Sequence, residues 1–256
     1  MKALLCLGVF LVSFVQAQEN VQRKHMRFVP LGELPVWGEK IENGKRIQLP
    51  PPPGSLPPNP AVIAEDANGG LPMNLRLKMF TSLFSIKPAA KGVKIFEGNA
   101  LGPKPWIASR FPEKNHTLGI LYRDHQMMSW FNPKMKVVGD DLTSFPLGHV
   151  RFVNVSQHTA VVKIGDQQAQ AVKPGGVYMK KLKVGNNLMQ LGYMVAGQKP
   201  VTILKNVFVL RPKQRIQAFF YKAQGKNPRK AVKMFHRAEF FVPPPKPKKA
   251  DAVAGG

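Results

Sequence analysis

Short runs of alternating apolar and polar residues fill the second half of the chain. In the run 149–156, the apolar positions Val150, Phe152 (or Val153) and Val155 recur on one side, as in a half-buried β-strand. Similar runs follow at 159–164, 177–179, 188–195, 201–210 and 216–221. Short strands with a turn signal about every ten residues indicate an antiparallel β-sandwich. We therefore predict an all-β, immunoglobulin-like (Ig-like) sandwich over 147–242.

The pattern of this half has an echo earlier in the chain. Four pairs of segments match: 74–78 with 149–153, 87–89 with 173–175, 119–124 with 218–222, and 132–134 with 227–230. Internal similarity of this kind is typical of two related structural units. It predicts a first β-half over 73–144 that is related to the second over 147–242.

Proline-rich segments flank the two predicted halves. Residues 18–72 lack sustained periodicity, and the run 49–60 within them is typical of an extended polyproline-type linker. Two short apolar patches, 28–31 and 34–37, interrupt this segment, and we expect them either to dock on the domain or to recognise a partner. Residues 243–256 indicate an extended basic tail of proline and lysine.

The first seventeen residues have the order of a secretory signal peptide. Lys2 precedes the apolar run 3–15, and the small-residue site Val15-Gln16-Ala17 follows it. The run is shorter than the roughly 20 residues that span a bilayer, and no later segment replaces it. We expect an exported protein of the periplasm, cell envelope or medium, with no transmembrane segment in its mature chain. The single cysteine, Cys6, lies in the signal peptide, so we expect no disulfide.

The charge is strongly positive and unevenly placed. The chain has a formal net charge of +24, and Asp166 is the only acidic residue between positions 142 and 238. A field of one sign on this scale attracts polyanions, although lysine also keeps an exported domain soluble. Two groups of basic residues are the candidate polyanion-binding residues: Lys180, Lys181 and Lys183, and then Lys226, Arg229 and Lys230.

The strand and turn motifs of the second half resemble a bacterial exported β-sandwich family of unknown function. The residues that carry the resemblance are the strand Val150-Arg151-Phe152-Val153-Asn154, the hairpin 162–166 and the turn Lys173-Pro174-Gly175. The echo in the first half is similar to the two-half versions of such proteins, so the resemblance covers roughly 73–242. It implies a β-sandwich fold, and it implies no activity or catalytic residue.

Residue types that support catalysis are present but not arranged for it. The six histidines lack the spacing of a zinc site. Asp124-His125 with His116, and the set Ser156, His158 and Asp166, contain suitable groups, but the second set lacks a nucleophile elbow. No phosphate loop or dinucleotide fingerprint is present. We therefore expect no catalytic, metal-binding or cofactor-binding residues, and no cofactor.

Three functions remain open at this stage. The leading hypothesis is an exported, non-enzymatic structural or interaction protein of the bacterial envelope, whose protein partners are unknown. The alternative is a module that binds a polyanion (acidic polysaccharide, lipopolysaccharide or nucleic acid) or an envelope surface. The third is a hydrolase with an unrecognised site. Clustering of the basic residues on one face would favour the second, and a pocket joining Asp124 and His125 to another acid or histidine would favour the third.

Overall fold

The computed structural model describes residues 23–65, 69–87, 92–110, 113–127, 129–225 and 227–240. Those residues form β-strands, turns and loops without any helix, which confirms the all-β prediction. They include no helix that is long and apolar enough to cross a membrane. The expected signal peptide, at 1–17, and the expected basic tail, at 243–256, lie outside the described residues.

In the described residues, eighteen strands follow one another. The first ten are β1 (Lys24–Leu31), β2 (Glu39–Glu42), β3 (Lys45–Gln48), β4 (Ala61–Ala64), β5 (Gly70–Met73), β6 (Phe84–Ile86), β7 (Val93–Glu97), β8 (Ile107–Ser109), β9 (His116–Arg123) and β10 (Pro133–Gly139). The others are β11 (His149–Asn154), β12 (Ala160–Ile164), β13 (Gln170–Val172), β14 (Val177–Lys181), β15 (Gly185–Tyr193), β16 (Val201–Leu210), β17 (Gln214–Lys222) and β18 (Val232–Phe240).

Four of the sheets have four strands each and form two sandwiches of the same topology. The first sandwich has an inner sheet of order β10-β9-β1-β6 and an outer sheet of order β5-β4-β7-β8. The second repeats them as β18-β17-β11-β14 and β13-β12-β15-β16. Most pairs are antiparallel, but β1–β9 and β11–β17 are parallel at equivalent places. The β-sandwich prediction is confirmed, and the Ig-like assignment stays a prediction.

The structural repeat starts earlier than the sequence echo indicated. β1 is the counterpart of β11, because each lies between equivalent neighbours in its inner sheet. The run His25-Met26-Arg27-Phe28-Val29 of β1 and the run His149-Val150-Arg151-Phe152-Val153 that opens β11 match at four of five positions. The alignment of 74–78 with 149–153 is therefore wrong. The strands of the first sandwich begin at Lys24, ahead of the boundary expected at residue 73.

Three apolar cores hold the four layers together. One lies between the two sheets of the first sandwich and includes Phe28 and Trp130. Another lies between the two sheets of the second sandwich and includes Phe152 and Phe220. The third joins the two inner sheets, where side chains such as Ile120 and Phe219 are buried. Since this third core is apolar and continuous with both sheets, the two sandwiches pack as one stack.

A buried ion network closes one end of the contact between the inner sheets. The Asp140 carboxylate accepts hydrogen bonds from Arg27 at 2.6 Å, Arg151 at 3.2 Å and Arg215 at 3.2 Å. Glu239 accepts bonds from Arg27 at 2.8 Å and from Arg215 at 3.2 Å. Arg27 and Arg151 occupy equivalent positions of β1 and β11, so the duplication itself brings these two cations into the network.

Candidate anion-binding groove

Three of the predicted basic residues line one groove of the second sandwich. The groove has a volume of about 410 Å³ and lies between the β12–β13 turn and the β14–β15 connection. We call it the Lys180 groove. Its lining residues are Ile164, Gly165, Asp166, Gln167, Lys180, Lys181, Leu182, Lys183, Asn186, Asn187 and Leu188.

The edge strand β14 positions the three lysines. Lys180 pairs with Val150 and Lys181 with His149, so the two side chains leave opposite faces of the strand. Both reach the groove because it surrounds the end of an edge strand. Leu182 is buried and donates its N–H to Gly148 O at 2.8 Å, which fixes the chain beyond the strand. Lys183 then follows as an exposed residue.

Hydrogen bonds from amide groups hold the backbone around the groove, while the lysines that line it form no salt bridge in the described structure. The Asn187 side chain donates to Lys183 O at 2.9 Å and to Gly185 O at 3.0 Å, which holds the connection between β14 and β15. Gly165 N donates to Leu188 O at 2.8 Å and ties the opposite wall to the same strand. In the described part of the chain, no salt bridge involves Asp166 or the three lysines.

Further cations lie at the same end of the molecule. Gly185, at the start of β15, pairs with Leu210, so the β16–β17 turn adjoins the connection that carries Lys183. This turn presents Arg211 and Lys213, which are both exposed. A ligand longer than the groove therefore meets more positive charge on this side.

The described residues of the second predicted basic group, Arg229 and Lys230, do not line the groove. Lys226 lies outside the described residues, and Arg229 is exposed on the β17–β18 hairpin. The Lys230 ammonium donates a hydrogen bond to Ile203 O at 3.0 Å. Ile203 lies at a β-bulge of β16, where it has no pairing partner in β15. This hairpin follows the far end of β17, a strand about 25 Å long, so Arg229 and Lys230 lie at the opposite end of the sheet from the Lys180 groove.

The candidate acid–base groups each have contacts of their own in the described structure. Asp124 pairs with Lys134 at 3.3 Å, and a hydrogen bond from Gln126 N lowers the pKa of its carboxyl group. His116 stacks on His25 with ring centroids 4.6 Å apart. Ser156 is buried and donates to Asn154 Oδ1 at 2.7 Å. No group of three or more potential metal ligands occurs among the described residues.

His125 lies where the β9–β10 hairpin meets the second sandwich. Lys222 donates its ammonium to the backbone oxygen of His125, and the adjacent cavity of about 10 Å³ holds room for a single water. Burial, followed by the charge of Lys222, lowers the pKa of His125; Asp124 raises it and His158 lowers it further. The neutral imidazole is therefore the form that this contact accommodates.

This environment makes the stability of the protein sensitive to acid. A histidine whose pKa is lowered by folding binds protons more readily in the unfolded chain, so stability is complete above about pH 6.5 and falls below it. We expect urea midpoints to drop between about pH 7.5 and about pH 5, and His125→Gln to reduce that drop. His236→Gln should also reduce the drop, because burial lowers the pKa of His236 in the same direction. A full drop in the His125→Gln variant would contradict this assignment.

A second, larger groove was not predicted as a site. It has a volume of about 840 Å³, and the segments 33–36 and 52–55 line it together with both hairpins of the inner sheets. Two of these walls belong to the proline-rich segment, whose Gly54 O accepts a hydrogen bond from Trp130 N at 2.7 Å. Sequence patterning gave no signal for it, because its walls come from segments far apart in the chain.

Comparisons with known proteins leave the family open. No family model matches the chain, and no curated protein matches it. Among solved structures, the chain is similar to the crystal structure of "a putative cell adhesion protein from Bacteroides eggerthii DSM 20697". The identity is 6%, the match covers 86% of this chain and 96% of that chain, and the TM-score is 0.22. A TM-score this low establishes neither a common fold nor a common function.

Proposed function

We propose that this protein is an exported, non-enzymatic interaction protein of the bacterial envelope, and that it binds acidic polysaccharide through the Lys180 groove. The observation that carries the proposal is the convergence of Lys180, Lys181 and Lys183 on one groove, where none of them forms a salt bridge with a carboxylate of the described residues. Unpaired cations in a groove raise the local concentration of an anionic ligand.

The lining of the groove favours a sugar over the other polyanions. Sugar hydroxyls need acceptors as well as donors, and Asp166, Gln167 and Asn186 supply both beside the lysines. Single-stranded nucleic acid is usually held by aromatic side chains on which bases stack, and the groove lining has none. The acyl chains of lipopolysaccharide need a cavity lined mainly by apolar side chains, whereas seven of the eleven residues that line this groove are polar or charged.

The direct test compares two variants of equal net charge. We expect Lys180→Gln with Lys181→Gln and Lys183→Gln to elute from a heparin column at lower salt than the wild type. The control replaces the exposed Lys94, Lys104 and Lys199 by glutamine. Three lost contacts lower the slope of log affinity against log salt by about 2, and the control leaves that slope nearly unchanged. Equal losses in both variants would mean that the charge acts only diffusely.

A competition experiment tests the class of polymer. We expect oligogalacturonate to displace the protein from heparin more effectively than single-stranded oligothymidine of the same charge. The reason is that only the sugar offers hydroxyl groups to Asp166 and the amides of the groove. Preference for oligothymidine, lost in the Lys180, Lys181 and Lys183 variant, would assign the groove to nucleic acid instead.

A further inference from the structure

We propose that two copies of this chain associate through β2, a contact that is separate from the proposed polysaccharide function. The strand belongs to an insertion of the first sandwich, residues 32–49, which we call the arm. The arm lies in the connection between β1 and β4. The equivalent connection in the second sandwich, between β11 and β12, runs only from 155 to 159 and has no strand. The sandwich fold therefore does not need the arm.

The arm presents a hairpin that has no neighbour. All residues of β2 and β3 are exposed, and in the described structure the two strands pair only with each other. A lone two-stranded hairpin is marginally stable in water, and a further strand would stabilise it. Ile41 is 75% exposed at the middle of β2, a position where an apolar side chain gains from a partner.

The base of the arm is fixed, so the hairpin is held ready for contact. Leu49 N donates to Gly38 O at 2.7 Å, which extends the hairpin ladder below β2 and β3. At the start of the arm, the Glu33 carboxylate accepts Gln224 N at 2.8 Å and pairs with Lys233 at 3.4 Å. A fixed strand loses less conformational entropy on pairing than a free one does.

Charge selects the arm as the place where two copies can meet. The chain has 38 basic and 14 acidic residues, so most of its surface repels a second copy. The arm instead has three acidic and three basic residues: Glu33, Glu39, Glu42, Lys40, Lys45 and Arg46. Self-contact at the arm therefore avoids the repulsion that opposes it elsewhere.

The backbone of β2 sets the register of the pair. The Leu49–Gly38 hydrogen bond shows that positions 38, 40 and 42 direct their backbone groups towards β3. The N–H and C=O of Ile41 therefore point away from the hairpin. An antiparallel pair centred on Ile41 lets both copies exchange these two hydrogen bonds about a two-fold axis.

In this register the side chains of β2 complement themselves. Ile41 lies opposite Ile41 of the second copy, and Lys40 of each copy lies opposite Glu42 of the other. Lys40 and Glu42 already pair within one strand at 2.9 Å, so both side chains are on the face where the ion pairs form. The contact is small, so the dimer is weak and depends on concentration. It places two Lys180 grooves in one particle, which increases avidity for a polymer.

Charge reversal tests the register directly. By sedimentation equilibrium of the full chain, we expect Lys40→Glu alone and Glu42→Lys alone each to weaken the dimer by roughly tenfold or more, because like charges then face each other twice. A mixture of the two variants restores association, and so does the double variant Lys40→Glu with Glu42→Lys. Lys94→Glu, an exposed change of equal charge on β7, is the control and dimerises like the wild type.

Cross-linking provides a second measurement in a Cys6→Ser background. A hydrogen-bonded antiparallel pair has its Cα atoms about 5.5 Å apart, which suits a disulfide. Ile41→Cys is expected to form a covalent dimer when oxidised glutathione accepts the electrons of the two thiols, whereas Gln48→Cys on β3 remains monomeric. A wild type that stays monomeric at millimolar concentration, or a Lys40→Glu variant that dimerises like it, would overturn the proposal.

Discussion

Replacing Asp140 with alanine is expected to lower the free energy of unfolding by about 3–5 kcal/mol, because it leaves buried arginines without their shared partner. The Asp140 side chain is 7% exposed and contacts Arg27, Arg151 and Arg215. Burial lowers the pKa of Arg151 to about 10. This pKa is still well above neutral pH, so the guanidinium remains charged there. The variant then holds three cations against the single carboxylate of Glu239 in a largely dry site. Urea unfolding at neutral pH measures the loss.

The neighbouring acid provides the control for this substitution. Asp141 accepts hydrogen bonds from the backbone and side chain of Ser144, at 2.7 and 2.9 Å, and pairs with no cation among the described residues. Asp141→Ala should cost about 1 kcal/mol, as expected for the hydrogen bonds of one turn. If the two alanine variants were equally stable, the network would not carry the role that its geometry indicates.

Replacing Phe152 with alanine is expected to lower the free energy of unfolding by about 3–5 kcal/mol, because removing a fully buried ring leaves a cavity in the core. Phe152 is fully buried and stacks on Tyr178 and Phe220, each with ring centroids 6.1 Å away. Phe240→Ala is the matched control, since that ring is 58% exposed and its loss should change stability by about 0.5 kcal/mol or less.

The same variant tests whether the two sandwiches unfold together. The three tryptophans, Trp37, Trp106 and Trp130, all belong to the first sandwich or its arm, so their fluorescence does not report the core around Phe152. Because the third core joins the inner sheets, Phe152→Ala should shift the fluorescence and circular dichroism midpoints equally. A fluorescence transition that stayed in place would show two independent units.

The sequence predicted the second sandwich better than the first. Its strands are short apolar runs separated by turns such as Lys173-Pro174-Gly175-Gly176, so local rules identify them. The inner strand β11 is nevertheless buried on both faces, which its expected half-buried pattern did not indicate. In the first sandwich, Pro30 interrupts the alternation of β1, and a long proline-rich insertion separates β1 from β4. Although β1 repeats most of the opening residues of β11, its surroundings resemble a linker, and its membership of the sheet was missed.

The sequence likewise predicted only some features of the candidate site. Charge counting singled out Lys180, Lys181 and Lys183, which the structure brings to one groove, together with Arg229 and Lys230, which it places at the opposite end of the sheet. Nothing in the sequence marked Asp166 as a neighbour of Lys180, because the two segments meet only through strand pairing. The bulge that gives Lys230 its backbone partner is likewise a property of the β15–β16 pair.

By itself, the sequence determined the all-β character of the chain, the positions of many strands and turns, and a strong excess of positive charge. These properties depend on neighbours along the chain: side chains alternate with a period of two, and Gly and Pro restrict the backbone locally. The tertiary structure alone decided the parallel pairing of β1 with β9, the arginine network around Asp140 and the shape of the Lys180 groove. Each of these depends on contacts between residues far apart in sequence, which only the packing of whole sheets selects.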